Sequence, residues 1–243
     1  MALSPRAEEL QAPLRAVLQG VQRLVRVPDV PLIQLRQTVH LAMADYPAAV
    51  IVPLLWARLR KIAPGLSLVL HSWTDNAREL DRLRRGEVGV VLSTLGPPPE
   101  DIEKDHIADE HYVGVTAKRH PLGRTPTARD LVAFPHVLVS AVGARTSPFD
   151  ERLAALGLTR NVGISVPSFL TVPHIVATSD AIAMIPRSLA NHWGPAKELA
   201  RFKLPIDAGT FSVDVAWHKR RTRDVAVQAV RKVLTEVVAR ALH

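Results

Sequence analysis

Four short segments place hydrogen-bonding side chains where a strand is expected to hand over to a helix or turn, and there this chain could do binding chemistry. Asp45-Tyr46 follows the apolar run Thr38 to Ala44, and Ser93-Thr94 follows Val88 to Leu92. Ser140-Ala141-Val142 closes the run that starts at Val137, and Ser168-Phe169 follows Val162 to Val166. Where strands of an open α/β sheet end, helix N-termini turn free N–H groups toward the crevice beyond them. Each residue also suits ordinary capping, Asp45 as an N-cap and Ser168 as a turn residue. Four such junctions together favour a shared groove over four separate caps. The candidate contacts are Asp45, Tyr46, Ser93, Thr94, Ser140, Val142, Ser168 and Phe169, with Trp217 as a further aromatic wall.

Catalytic patterns are absent. The chain has no GxxxxGKS/T loop, no GxGxxG, no GxSxG and no HExxH, so nothing points to an enzyme or a cofactor. Serine, histidine and aspartate all occur, yet no spacing joins them into a triad. His106, Asp109 and His111 lie close together without a recognised metal-site spacing, and no metal is expected. The chain has no cysteine, which removes disulfides and thiolate sites and suits a reducing compartment.

The elements that must position these residues alternate. Strand-like Thr38–Ala44 precedes a helix with Ile51, Leu54, Leu55, Leu59 and Ile62 on one face, stopped by Pro64-Gly65. Leu66 to His71, Asn76 to Arg85 and Val88 to Leu92 continue as strand, helix and strand. After Gly96-Pro97-Pro98-Pro99 comes a strand at Tyr112–Ala117, and a second unit begins past His120-Pro121. Its helices start at Thr127, at the capping box Ser147–Asp150, at Val172 and at Pro186, between strands at Val137, Val162 and Ala181. Phe211–Trp217 and the helix Asp224–Leu242 close the chain. Such alternation predicts a mostly parallel sheet with helices on both faces.

Ahead of this lies a helix expected over residues 4–26, with Leu10, Leu14, Val17, Leu18, Val21 and Leu24 on one stripe and Pro28–Pro31 as linker. That stripe needs cover, from a partner chain, from a removed domain or from its own domain. With 243 residues and 47% hydrophobic content, the chain can bury a sizeable core. The net charge of +8 suits an anionic partner but equally suits solvated helix faces. The longest apolar run, Ala48 to Ala57, is too short to span a bilayer, and the start has no signal-peptide pattern, so a soluble cytoplasmic protein is expected.

Taken in order, four segments resemble the LysR-type transcription regulators, in the branch of nodulation and aromatic-catabolism regulators. They are Leu3–Leu10, Thr38–Tyr46, His120-Pro121-Leu122, and Val166–Leu170 continuing through Val176–Asp180 to Ile185-Pro186. The resemblance implies a type II periplasmic-binding-protein fold: two Rossmann-like sub-domains joined by two crossover strands, with an effector in the cleft. It divides the chain into a linker and dimerisation helix at 1–30, sub-domain I at 31–118 plus 207–243, and sub-domain II at 119–206. It also implies a homodimer or tetramer through residues 4–26 and sub-domain surfaces. DNA would be bound only through an N-terminal helix-turn-helix of roughly sixty residues, expected to be missing here. The effector is expected to be a small metabolite, aromatic or a carboxylate. In this branch the position of Ser168 is often His, so Ser168 brings a hydroxyl where relatives carry an ionisable ring. A stand-alone solute-binding protein, an enzyme on the same bilobal fold and a purely structural oligomerisation module are the alternatives.

Overall fold

The computed structural model describes residues 31–192 and 194–242, together with Arg6, Leu10, Gln11, Pro13, Leu14, Arg15, Val17 and Leu18. The chain divides into two units, Met1–Pro31 and Leu32–His243. In the first, the eight described positions before Pro31 are helical and exposed. The rest of the helix expected over 4–26, and residues 28–30 of the linker, lie outside the described residues.

The second unit holds all the strands found among the described residues. Thr38–Met43 (β1), Ser67–Ser72 (β2) and Val90–Ser93 (β3) are parallel, connected by Asp45–Ile62 (α1) and Asn76–Arg85 (α2). Alternation along β1 sends Val39, Leu41 and Met43 to one face and Ala42 to the other. Ala42 packs with Leu83, Val88 and Val91 under α2. On the opposite face α1 and the last helix, Val225–Leu242 (α8), cover the sheet, burying Leu55, Leu59, Val227, Val230 and Leu234. The first helix stop is the expected one. α2 starts at Asp75, whose carboxylate accepts from Arg78 N–H, and ends at Gly86 in the left-handed region at φ 75°.

The remaining parallel strands are His136–Val139 (β5), Val162–Val166 (β6) and Ile182–Pro186 (β7). Neighbours along β7 face opposite ways. Ile182 joins Leu131, Phe149 and Leu153 beneath Ala128–Val132 (α3) and Pro148–Ala154 (α4), and Ala183 joins Val172, Val176 and Leu189 beneath Val172–Ala177 (α5) and Arg187–His192 (α6). Both expected capping signals are present: Thr127 with Asp130, and Ser147 with Asp150.

Two long strands tie the halves together. Ile102–Thr116 (β4) runs antiparallel to Thr210–His218 (β9) over residues 102–111, then pairs with β7 and with Ala200–Phe202 (β8). The open sheet has the order β2-β1-β3-β9-β4-β7-β5-β6, with β8 also on β4. This is two α/β lobes joined by two crossing strands, as the resemblance implied. The strand expected at Tyr112–Ala117 is therefore only the end of a 15-residue one. Its first ten residues hide the period of a strand because charged and histidine side chains dominate them; pairing with β9 imposes the extended form. The short β8 and Gly194–Lys197 (α7) were likewise not expected.

One packing detail near the crossing is open to test. At Gly114 in β4, a Cβ would lie 2.3 Å from the Phe202 ring of β8. Gly114→Ala is expected to cost about 1–3 kcal/mol through overpacking. A thermal melt should show a lower midpoint, largely restored by adding Phe202→Leu; an unchanged midpoint for the single variant would contradict this contact.

Candidate functional site

The strand ends and turns of both lobes enclose a cleft of about 910 Å³. From the first lobe come the β1–α1 junction at Met43–Ala48, the β2–α2 junction at Leu70–Asn76 and the end of β3 at Leu92–Thr94. From the second come Val139–Val142 and Pro167–Phe169, while Tyr112, Phe211 and Ser212 reach it from the crossing strands. Eight of the nine sequence candidates line it: Asp45, Tyr46, Ser93, Thr94, Ser140, Val142, Ser168 and Phe169.

Trp217 does not. It lies four residues past Val213 along β9, about 13 Å at the usual rise of a strand. Its ring is buried beneath the Arg231 guanidinium, and its indole N–H donates to Thr222 Oγ1 at 2.9 Å. Alternation in β9 marked it as inward-facing correctly but could not say which part of the interior it faces.

Asp45 is more than a cap. It is the first helical residue of α1, with Ala44 at the N-cap position. One carboxylate oxygen accepts from Tyr46 N–H at 2.8 Å, while the other accepts from the Ser168 hydroxyl and from Leu170 N–H at 3.2 Å. Two residues picked separately as ligand contacts thus bond to each other across the cleft. Above them, Tyr46 and Phe169 meet edge to face with centroids 5.4 Å apart.

The other hydroxyls are also engaged. Thr94 Oγ1 donates to the Ser212 carbonyl at 2.8 Å, Ser93 Oγ donates to Asn76 Oδ1 at 3.2 Å, and Ser140 Oγ accepts from Ala144 N–H at 2.9 Å. Val142 projects from the turn after β5 and is 71% exposed.

The neighbouring junction, β2 to α2, was missed. It adds His71, Trp73, Asp75 and Asn76 by the same strand-to-helix rule, and Asp75 is an N-cap that the sequence already displays. Tyr112 and Phe211, with centroids 4.9 Å apart, had no such signal, because only the crossing of β4 and β9 brings them together. The cleft is consequently richer in aromatic rings than expected.

Burial, with Glu110 nearby, raises the Tyr46 and Tyr112 phenols above their ordinary values, so both are uncharged at neutral pH. Burial, then Arg82 and His40, lowers His71, whose ring stacks on His40 with Nε2 2.8 Å from its Nδ1. Among the described residues, no cluster of three histidine or carboxylate side chains could hold a metal ion.

The model of the LysR substrate binding domain family matches residues 33–239, the whole of the bilobal unit but for its ends. The chain belongs to the LysR family. The transcriptional regulator SyrM of Rhizobium meliloti is 28% identical over 92% of this chain and 68% of its own length. The transcriptional activator NahR of Pseudomonas putida is 25% identical over 98% of this chain and 79% of its own length. The regulatory domain of MexT from Pseudomonas aeruginosa superposes on this LysR domain with a TM-score of 0.73 at 25% identity, covering 84% of this chain and 98% of that one. A probable transcriptional regulator from the same organism gives 0.74 at 28% identity, over 96% and 78%. The two-lobed unit is thus a substrate-binding domain of the kind carried by LysR transcription regulators, with the type II periplasmic-binding-protein fold.

Proposed function

We propose that a small-molecule effector binds in this cleft and controls transcription by changing how the two lobes lie against each other. One observation carries the assignment: the cleft is walled by both lobes, and Asp45 of one is bonded to Ser168 and Leu170 of the other. Asp45, Tyr46, Ser93, Thr94, Ser140, Val142, Ser168 and Phe169 are the contacts. A ligand that competes for the Asp45 and Ser168 groups changes the balance of lobe arrangements in proportion to its differential affinity for them.

Sub-domain boundaries at 31–118 plus 207–243 and at 119–206 belong to the same reading, and β4 and β9 crossing near those limits support them. So does self-association as a homodimer or tetramer, in which residues 4–26 take part. The exposed side chains of Leu10, Leu14, Val17 and Leu18 recur at helical spacing and support that assembly. DNA contact through a helix-turn-helix fits relatives named as HTH-type regulators. Binding without turnover fits relatives that are transcription regulators. A cytoplasmic place fits a chain in which, among the described residues, no helix is long and apolar enough to cross a membrane.

The test is the double variant Thr94→Ala, Ser168→Ala. Loss of two hydroxyls that hold the cleft walls, at about 1 kcal/mol each, is expected to weaken an effector found by calorimetry against a metabolite panel by roughly tenfold or more. Circular dichroism should show the fold intact. Unchanged affinity in the double variant would remove the cleft as the effector site.

A further inference from the structure

We propose that the cleft selects uncharged, planar aromatic effectors carrying hydrogen-bond donors, and discriminates against aromatic carboxylates. The proposal rests on the cleft being the effector site and adds the chemical class that site accepts.

Charge comes first. Among the described residues, no lysine or arginine lines the cleft, and its acidic side chains are Asp45 and Asp75. Helix N-termini ordinarily offer an anion a place to bind. Here each already holds one of the protein's own carboxylates: Asp45 receives Tyr46 N–H at the start of α1, and Asp75 receives Arg78 N–H at the start of α2, each at 2.8 Å. A ligand carboxylate would give up its water shell, find no cation, and lie near two like charges.

Proton direction gives the same answer independently. The hydroxyls of Thr74, Ser93, Thr94, Ser168 and Ser212 all line the cleft, and each donates its one proton within the protein. Their acceptors are Glu79, Asn76, the Ser212 carbonyl, Asp45 and Asp214 respectively. A hydroxyl whose proton is committed presents lone pairs alone. At these five positions the wall matches ligand O–H or N–H donors and offers no proton to an acceptor-only carboxylate. The His71 ring, with its proton affinity lowered by burial, adds no positive charge near neutral pH.

Ring chemistry supplies the attraction. Both tyrosines of the chain, two of its five phenylalanines and one of its four tryptophans line the cleft. The volume of about 910 Å³ lies at the upper end of small-molecule sites and accommodates two or more fused rings.

Matched probes test this with the 243-residue chain: 2-naphthol and 2-naphthamide against 2-naphthoate, titrated by calorimetry near neutral pH. The neutral members are expected to bind about tenfold or more tightly than the carboxylate. V142R, which puts a guanidinium at the exposed rim, is expected to tighten 2-naphthoate alone and narrow that gap at least about threefold. Naphthoate binding as well as the neutral probes, and lost in Phe169→Ala, overturns the selectivity while leaving the cleft as the effector site. Binding of any probe that Phe169→Ala leaves untouched overturns both. No binding of either neutral probe at millimolar concentration, or a gap that V142R leaves unchanged, overturns the selectivity.

Discussion

Asp214→Ala is expected to destabilise the bilobal unit by about 3–5 kcal/mol, the cost of removing one partner from a buried charged network. Asp214 sits in β9 with its side chain closed off from solvent. It accepts from Leu95 N–H at 3.1 Å, Lys104 Nζ at 3.2 Å and Ser212 Oγ at 2.7 Å, and lies 3.2 Å from His106 Nδ1. One carboxylate thus joins the turn after β3 to both crossing strands. Without it, the Lys104 ammonium and the Leu95 amide lose a buried acceptor, and Ser212 at the cleft is released. Urea unfolding measures the loss, and Asp214→Asn should fall between the two because it keeps one acceptor. A loss below about 1 kcal/mol in the alanine variant would show that the network holds nothing.

Acid should expose the same group. Burial works against its charge, but the donors from Ser212, Leu95, Lys104 and His106 outweigh that and hold the carboxyl below its ordinary value. A depressed carboxyl binds its proton more readily in the unfolded chain. Its stabilisation is therefore complete above the ordinary carboxyl range and is lost as pH falls through the folded value.

A larger acid effect is expected earlier, from His136. This ring in β5 is 1% exposed, with Nε2 donating to the Leu131 carbonyl at 3.0 Å and Nδ1 buried without a partner. Burial, with Arg160 nearby, pushes the imidazole down from 6.5 to about 4. The unfolded chain then takes up the proton first. Between those two values each unit of falling pH costs about 1.4 kcal/mol, roughly 3 kcal/mol in all. Urea midpoints at pH 7, 6, 5 and 4 should fall across that window and flatten below it. His136→Gln keeps a donor for Leu131 but cannot titrate there, so its midpoint should fall much less. An equal slope in both proteins would assign the acid loss to other groups.

The effector-side candidates were legible for a local reason. A strand-to-helix junction is written in a few consecutive residues, as in Ala42-Met43-Ala44-Asp45-Tyr46, and the open α/β sheet places such junctions along one edge. By that rule Trp73-Thr74-Asp75-Asn76 was equally readable and was passed over. Other features were not readable at all. Ile102–His111 is a strand because β9 pairs with it, against its own polar pattern. Tyr112 meets Phe211 across the long separation of β4 from β9. Alternation buried Trp217 correctly but left its distance from the cleft undetermined.

The amino-acid sequence alone determined the alternation of strands and helices, their caps at Thr127 and Ser147, the family likeness and eight of the cleft's side chains. These depend on short-range periodicity and on hydrogen bonds between near neighbours. Tertiary structure alone decided how those side chains are used. It turned Asp45 and Ser168 from parallel candidates into partners 123 positions apart, and committed the Ser168 hydroxyl proton to that bond. It also gathered the aromatic rings where the sequence had scattered them. A side chain's type is local, but the direction of its proton and the charge it faces are set by whatever distant strand the fold brings beside it.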